Sequence, residues 1–280
     1  MTVQRALYKA PLFGVSLPPG SGPKAFLSWT DDRIEKKFCM PISLSVVVPV
    51  MDEAGNVATL AREIEAAAKG ESHEIIFVDD GSTDGTVNSL AALRPEVPSL
   101  RILQHSRNLG QSRAWRTGVA AAKGEIIVTI DGDGQNDPAD IPKLVAALRT
   151  ASAEGHVGLV SGVRVNRLDP SNRRFASGFA NSFRRAMLKD GAVDSGCGLK
   201  AFWREAFLRL PYFDHMHRFL IALMLREGYE VRFVDVGHRA RQHGKSKYNN
   251  FHRAMVGLVD TFGVRWLQKR FGGSVDTREI

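Results

Sequence analysis

Three short segments set carboxylates beside glycines in a way that suits cation binding. Val48-Pro49 leads into Asp52, Glu53 and Gly55; Val78 leads into Asp79, Asp80, Gly81, Ser82 and Asp84; Ile130 leads into Asp131, Gly132, Asp133, Gly134 and Gln135. A single acidic turn means little, because Asp and Gly favour turns for conformational reasons alone. Three in one cleft would repel one another unless a cation or positive ligand sat among them. The third turn is the sharpest: Asp131, Asp133 and Gln135 can converge on one side of a tight loop, and the glycines between them let the backbone approach a ligand closely. A few hard oxygen ligands suit Mg2+ or Mn2+ held jointly by protein and phosphate. The plainer alternative is a surface turn in which Asp137-Pro138 starts the next helix.

The elements around these turns decide whether they meet. Ser43 to Pro49 is a valine-rich, buried-strand pattern, and Asn56 is placed to cap a helix from Val57 to Lys69 that Gly70 stops. Glu74 to Val78 predicts a second strand, followed after the turn by a helix to about Leu93. Leu100 to Gln104 predicts a third strand, Gln111 to Lys123 a helix ended by Gly124, and Glu125 to Ile130 a fourth strand. Strands alternating with helices imply parallel βαβ units, hence an open, mostly parallel, Rossmann-like α/β sheet with helices on both faces. Ligands of such sheets sit outside the carboxyl ends of the strands. All three acidic turns follow strands there.

Composition sets wider limits. With 280 residues the chain can bury a sizeable core, and 44% hydrophobic with 24% charged residues is the balance of a soluble globular protein. Two cysteines, Cys39 and Cys197, make neither a disulfide framework nor a zinc set, which fits a reducing, cytoplasmic location. The net charge of +8 calls for an anionic partner: nucleic acid, a phosphorylated substrate or an acidic membrane surface. No run reaches the roughly 20 apolar residues of a bilayer span, and the N-terminus lacks the pattern of a signal peptide. Residues 1–40, punctuated by Pro11, Pro18, Pro19, Gly20, Gly22 and Pro23, read as a disordered leader or a start codon placed too far upstream, with Met40 directly before the first strand.

The order of the motifs carries a resemblance. VVVPVMDE, VDDGSTDGT, SRNLGQSRAWRTGVAAAKGE and IVTIDGDGQNDP, then SGVRVNRLD, DSGCGLKAF and HGKSKY, together resemble the family 2 glycosyltransferases with a GT-A fold. The branch that the pattern is most similar to is dolichyl-phosphate mannosyltransferase-like, which loads a sugar onto a polyprenyl phosphate. The resemblance runs from about Leu44 to Trp266. It implies that Pro49, Glu53, Asp79 and Asp80 line the pocket for base and ribose, that Asp131, Asp133 and Gln135 bind the metal and the donor diphosphate, that Arg164 and Arg174 meet phosphate, and that Arg241, Lys245 and Ser246 close over the diphosphate. The chain departs from the family pattern twice. Val50-Met51 stands where an aromatic residue usually follows the proline, and SGCGLK stands where many relatives have Thr-Ser-Gly.

Other segments have competing readings. HGKSK is not a phosphate-binding P-loop, because six residues separate Gly237 from Gly244, wider than a Walker A loop permits; it is a solvated basic loop or a lid that orders over the donor. Asp214-His215-Met216-His217 reads as a helix start with surface histidines rather than a metal site. Phe175, Phe179, Phe183 and Met187 recur at helical spacing among Arg173, Arg174, Arg184, Arg185 and Lys189; core packing and a membrane-interface helix both fit. Phe251 to Phe271 repeats the pattern with Met255, Val259, Phe262 and Trp266, so that residues 41–250 form the GT-A domain and residues 251–280 a C-terminal segment of amphipathic helices touching an anionic membrane.

These readings combine into one expectation and two rivals. The expectation is inverting, metal-dependent transfer from a nucleotide-sugar donor of the GDP-mannose, UDP-glucose or UDP-uronic acid type to a polyprenyl-phosphate acceptor. It would occur peripherally on the cytoplasmic face of the membrane and supply a lipid-linked sugar for cell-envelope glycan or lipid modification, with a membrane-protein partner using the product. One rival is a transferase of the same fold acting on a glycan hydroxyl, for which Asp194 is the only carboxylate that could serve as base. The other, a basic nucleic-acid-binding protein, does not explain three acidic turns that would repel phosphate without a metal, so nucleic acid is not an expected partner.

Overall fold

The structure is a computed structural model that describes residues 41–165, 183–240 and 250–273. The chain divides into Met1–Cys39 and Met40–Ile280, and everything below concerns the second unit; the leader expected over residues 1–40 lies outside the described residues. The elements are β1 (Leu44–Val50), α1 (Val57–Ala68), β2 (His73–Asp79), α2 (Thr86–Ala92), β3 (Leu100–Gln104), α3 (Gln111–Ala121), β4 (Ile126–Thr129), α4 (Ile141–Glu154), β5 (Val157–Arg164), α5 (183–188), β6 (Lys200–Trp203), α6 (Arg204–Arg209), α7 (Leu220–Arg226), β7 (Glu230–Val236) and α8 (Asn250–Lys269). Short 3-10 turns, Pro138–Asp140 and Met216–Phe219, precede α4 and α7.

The seven strands form one sheet in the order β3-β2-β1-β4-β6-β5-β7. β3, β2, β1 and β4 are parallel neighbours, β6 runs antiparallel between β4 and β5, and β7 is parallel to β5. The sheet is therefore mostly parallel, as the alternation of elements implies. β1, β2 and β4 lie side by side, so their carboxyl ends, and the three acidic turns, share one edge.

The inner strands β1, β2 and β4 are buried on both faces, which is why they read as continuous apolar runs. On β1, Val46, Val48 and Val50 point into a core shared with Leu60 and Ile64 of α1 and Leu144 and Leu148 of α4. Val47 points the other way, into a core with Trp115 of α3, Phe207 of α6 and Leu223 of α7. Each such side chain contributes about 1.5–3 kcal/mol of burial. α3 lies close against the sheet because position 118 has no side chain: a Cβ there would collide with Val47 Cγ1 and lie 3.1 Å from Val78 Cγ2. That approach fixes where the first turn of α3 sits.

Two local expectations differ from the structure. Asn56 makes no side-chain cap to α1; its amide donates instead to Glu53 Oε2 at 2.6 Å. α3 stops at Ala121 rather than Lys123, because the Lys123 N–H donates to Glu74 Oε1 at 2.6 Å and the Gly124 N–H to Ser45 Oγ at 2.9 Å. Those tertiary bonds replace the next helical ones.

Of the two phenylalanine-rich segments, the first leaves only Phe183 and Met187 within the described residues; Phe175 and Phe179 lie outside them. Phe183 meets the ring of Phe262 edge-on at 6.3 Å, and Met187 packs on the second core. Among the described residues the C-terminal region has one helix, α8, rather than several. It buries Thr261 and Val264 while Met255, Val259, Phe262 and Trp266 stay at least half exposed, at 50–67%.

Candidate functional site

The first two acidic turns are stitched together. The Asp52 N–H donates to Ser82 Oγ at 2.8 Å, the Thr83 N–H to Asp52 Oδ1 at 2.7 Å, the Glu53 N–H to Thr86 Oγ1 at 2.9 Å and the Ala54 N–H to Asp84 Oδ2 at 3.1 Å. Serine, threonine and aspartate side chains thus satisfy loop amides that no sheet partner reaches. Asp79 and Asp80 are both buried. Asp80 accepts from the Leu109 N–H at 2.9 Å and the Gly110 N–H at 2.8 Å, and pairs with His105 Nδ1 at 2.7 Å. It holds the loop that delivers the chain into α3. Asp79 Oδ2 accepts from the Ser82 N–H at 3.3 Å, whereas its Oδ1 is buried without a hydrogen-bond partner. An open acceptor of this kind, on a sheet edge where ligands bind, suits a ligand N–H or O–H. Pro49 sits on β1 beside Val78, and Met51, in the place of the family's aromatic residue, accepts from Asn108 Nδ2 at 2.6 Å.

The third turn differs. Asp131 is partly buried, and its Oδ1 accepts from Gln111 Nε2 at 2.8 Å. Burial, and then the charge of Asp133, push the Asp131 carboxyl up from 3.8 to about 6, against the pull of Lys200, Arg164 and Gln111. Asp133 Oδ1 accepts from the Gln135 N–H at 3.1 Å, and the Gln135 carbonyl accepts from the Arg239 N–H at 2.8 Å. Arg239 in turn bridges Glu63 and Asp137, each at 2.7 Å, while Asp137 also caps the 3-10 turn through the Ala139 N–H. The surface-turn reading and the metal reading therefore divide the loop between them: Asp137 is structural, and Asp131 and Asp133 stand close enough for the charge of one to raise the carboxyl of the other.

Beneath Asp131 runs the segment Asp194 to Lys200. Arg164, at the end of β5, is clamped by Asp194: Nε to Oδ2 at 2.7 Å and Nη2 to Oδ1 at 2.9 Å. Burial opposes the charge of Arg164, but Asp194 outweighs it and holds the guanidinium above its ordinary range. Lys200, fully buried on β6, donates to the Cys197 carbonyl and lies 5.8 Å over the Trp115 ring; burial lowers its ammonium against the attraction of Cys197, Asp131 and Asp194. A Cβ built on Gly198 would lie within 2.5 Å of all three atoms of the Asp131 carboxyl group.

The structure brings Pro49, Glu53, Asp79, Asp80, Asp131, Asp133, Gln135 and Arg164 to the carboxyl ends of β1, β2, β4 and β5. Arg174, Arg241, Lys245 and Ser246 lie outside the described residues. Asp194, the one named base for a hydroxyl acceptor, is engaged with Arg164. The Asp214-to-His217 segment does begin a short helical turn, but Met216 is buried, and His217 Nδ1 lies 2.8 Å from Ser112 Oγ with its ring edge-on to Trp115. The histidines are thus packed rather than free surface groups, and His215 pairs with Asp260 of α8 at 3.4 Å. Gln111, Gly198 and Lys200 are members of the site that motif reading passes over. A polar residue directly after the glycine that opens α3, and the two glycines of SGCGLK, are the signals that could have found them.

Two carboxylates and an amide on one loop are a hard-oxygen set. Among the described residues no group of three or more His, Cys, Asp and Glu side chains converges as a metal centre. A divalent ion at Asp131 and Asp133 would complete its shell with oxygens from a phosphate and water, the pattern of Mg2+ in phosphate sites. The raised Asp131 carboxyl fits this, since a cation would relieve the repulsion from Asp133.

The family described as Glycosyl transferase family 2 matches residues 45–210. The chain is 37% identical over 234 residues to dodecaprenyl-phosphate galacturonate synthase of Rhizobium johnstonii, covering 81% of this chain and 68% of that protein. It is 34% identical over 210 residues to undecaprenyl-phosphate 4-deoxy-4-formamido-L-arabinose transferase of Pseudomonas fluorescens, covering 74% of this chain and 60% of that protein. The fold is that of glucosyl-3-phosphoglycerate synthase from Mycobacterium tuberculosis, crystallised with Mn2+, UDP and glucosyl-3-phosphoglycerate: TM-score 0.61 at 20% identity, covering 84% of this chain and 82% of that one. Mannosyl-3-phosphoglycerate synthase from Rubrobacter xylanophilus superposes with a TM-score of 0.62 at 18% identity, over 81% of this chain and 75% of that one.

Proposed function

The chain belongs to the family 2 glycosyltransferases, and from that premise we propose that it transfers a sugar from a nucleotide sugar to a polyprenyl phosphate, with inversion and with a divalent metal. The observation that carries this reading is the partly buried Asp131 carboxyl beside Asp133, raised to about 6, on the edge formed by β1, β2 and β4. The names of the two relatives support the acceptor class. The donor is of the UDP-uronic acid, UDP-glucose or GDP-mannose type.

In this reaction the bond from the anomeric carbon to the donor diphosphate breaks, and a bond to an acceptor phosphate oxygen forms from the opposite face. The acceptor oxygen is already anionic at neutral pH, so no general base is needed. The engagement of Asp194 with Arg164 supports this over a hydroxyl acceptor, which would need that carboxylate free. Mg2+ or Mn2+, held by Asp131, Asp133 and Gln135, would supply Lewis-acid stabilisation of the departing diphosphate. Pro49, Glu53, Asp79 and Asp80 line the base and ribose pocket, with Asp79 Oδ1 as its open acceptor. We assign Arg164 and Arg174 to phosphate contacts, and Arg241, Lys245 and Ser246 to the diphosphate.

No helix among the described residues is long and apolar enough to cross a membrane. We place the enzyme peripherally on the cytoplasmic face, with the exposed Met255, Val259, Phe262 and Trp266 of α8 facing anionic lipid beside Arg265, Lys269 and Arg270. A membrane protein would consume the lipid-linked sugar in cell-envelope modification.

The test is turnover of radiolabelled UDP- and GDP-sugars with a polyprenyl phosphate and Mn2+. Asp133→Asn should lower turnover by about a thousandfold or more while the circular dichroism spectrum is kept. Full activity in that variant would refute the metal assignment, and equal transfer to a soluble glycan would refute the acceptor.

A further inference from the structure

The structure gives SGCGLK a location: it is the floor under Asp131. We propose that Gly198 is a positioning residue whose missing side chain is the space that the Asp131 carboxylate occupies. The inference rests on reading Asp131 as an oxygen ligand of a metal-diphosphate group.

The backbone of the floor cannot retreat. The Gly198 carbonyl accepts from Thr129 Oγ1 at 2.9 Å, and the Cys197 carbonyl accepts from the Lys200 ammonium. The Leu199 carbonyl accepts from the Gly162 N–H at 3.0 Å, and Lys200 is paired in register with Thr129 of β4 and Ser161 of β5. The segment is thus fixed by strands on both flanks. From above, Gln111 Nε2 holds Asp131 Oδ1 at 2.8 Å and keeps the carboxylate pressed onto the gap. A Cβ at position 198 would come within 2.5 Å of every atom of the carboxyl group, closer than real Cβ contacts allow. The three nearest atoms are side-chain atoms of Asp131 rather than backbone, and Gly198 is not among the glycines with positive φ. An alanine there is therefore tolerated by the fold but turns Asp131 away from Gln111 and from Asp133. Gly196, two residues earlier, is the internal control: its Cβ would sit 3.4 Å from Arg164 Nη2, an ordinary contact.

The experiment compares wild type, Gly198→Ala and Gly196→Ala by thermal shift, with Mn2+ titrated at fixed UDP and at fixed GDP. In Gly198→Ala the ligand-free melting temperature should hold within a few degrees. The half-saturating Mn2+ concentration should rise about 10–100-fold, the loss typical of disturbing a group that orients a metal ligand. Gly196→Ala should bind like wild type. An unchanged Mn2+ requirement in Gly198→Ala overturns the proposal while leaving the metal reading intact. So does a collapse of its ligand-free melting temperature, which would assign Gly198 to the fold. A wild-type protein that responds to Mn2+ with neither nucleotide overturns the metal-diphosphate reading and this proposal with it.

Discussion

The turns after β2 and β4 start from the same ingredients, two aspartates and glycine at the end of a buried parallel strand, and end with opposite electrostatics. Asp80 receives two backbone N–H groups and His105, so its charge is used to hold the loop before α3. Asp131 receives one neutral amide donor, faces Asp133, and is pushed up to about 6. A carboxylate whose lone pairs are filled by the fold stabilises it; one left under-compensated destabilises the ligand-free protein and is available to a cation. Residue type does not separate the two cases, whereas the donors that surround each carboxylate do.

Breaking the structural member should have the largest effect. Asp80→Ala leaves the Leu109 amide and His105 Nδ1 without this acceptor and the Gly110 amide with Asn108 Oδ1 alone, and should cost about 3 kcal/mol in urea or thermal unfolding. A loss below about 1 kcal/mol would mean that water replaces Asp80 and that its role lies with the ligand instead. Asp131→Asn should act in the other direction, raising ligand-free stability at pH 8 by about 1–3 kcal/mol while abolishing Mn2+-dependent binding. Its sign follows from the raised folded value: the proton is held more tightly in the folded state, so stability is full below about pH 4 and declines as pH rises through about 6. Melting temperatures from pH 4 to 8 in chelator should show that decline in wild type and not in Asp131→Asn; parallel profiles would remove Asp131 as its source.

Glu74 sharpens the contrast from the opposite side with a smaller effect. Burial raises it, but Ser45, the Lys123 N–H and Arg101 together hold it below its ordinary value. Its stabilisation is therefore present above the ordinary glutamate range and lost as pH falls through the lowered folded value. Glu74→Gln should flatten the acid limb of the stability profile and cost less than about 2 kcal/mol near neutrality. An unchanged acid limb would assign that limb to other carboxylates.

Much of the first half was legible in the sequence because both of its signals are local. β1 and β2 read as strands from valine- and isoleucine-rich runs, β3 from its leucines and isoleucine, and α1 and α3 end near their glycines. The antiparallel strand β6, inserted between β4 and β5, carries no such local mark, since KAFW starts on a charged lysine and has none of the β-branched residues that mark IIVT of β4. Asp194 illustrates the same limit. In sequence it is a free carboxylate and a candidate base, and only its pairing with Arg164, 30 positions away, shows that it is engaged.

The alternation of strands and helices, the order of the three acidic turns and the family are legible along the chain, because these depend on neighbours within a few residues and on motif order. Tertiary structure decided which carboxylates are compensated and what lies under Asp131. Those properties depend on groups from Gln111, Arg164, Gly198 and Lys200 meeting across the sheet, and desolvation and charge pairing act through space rather than along the chain.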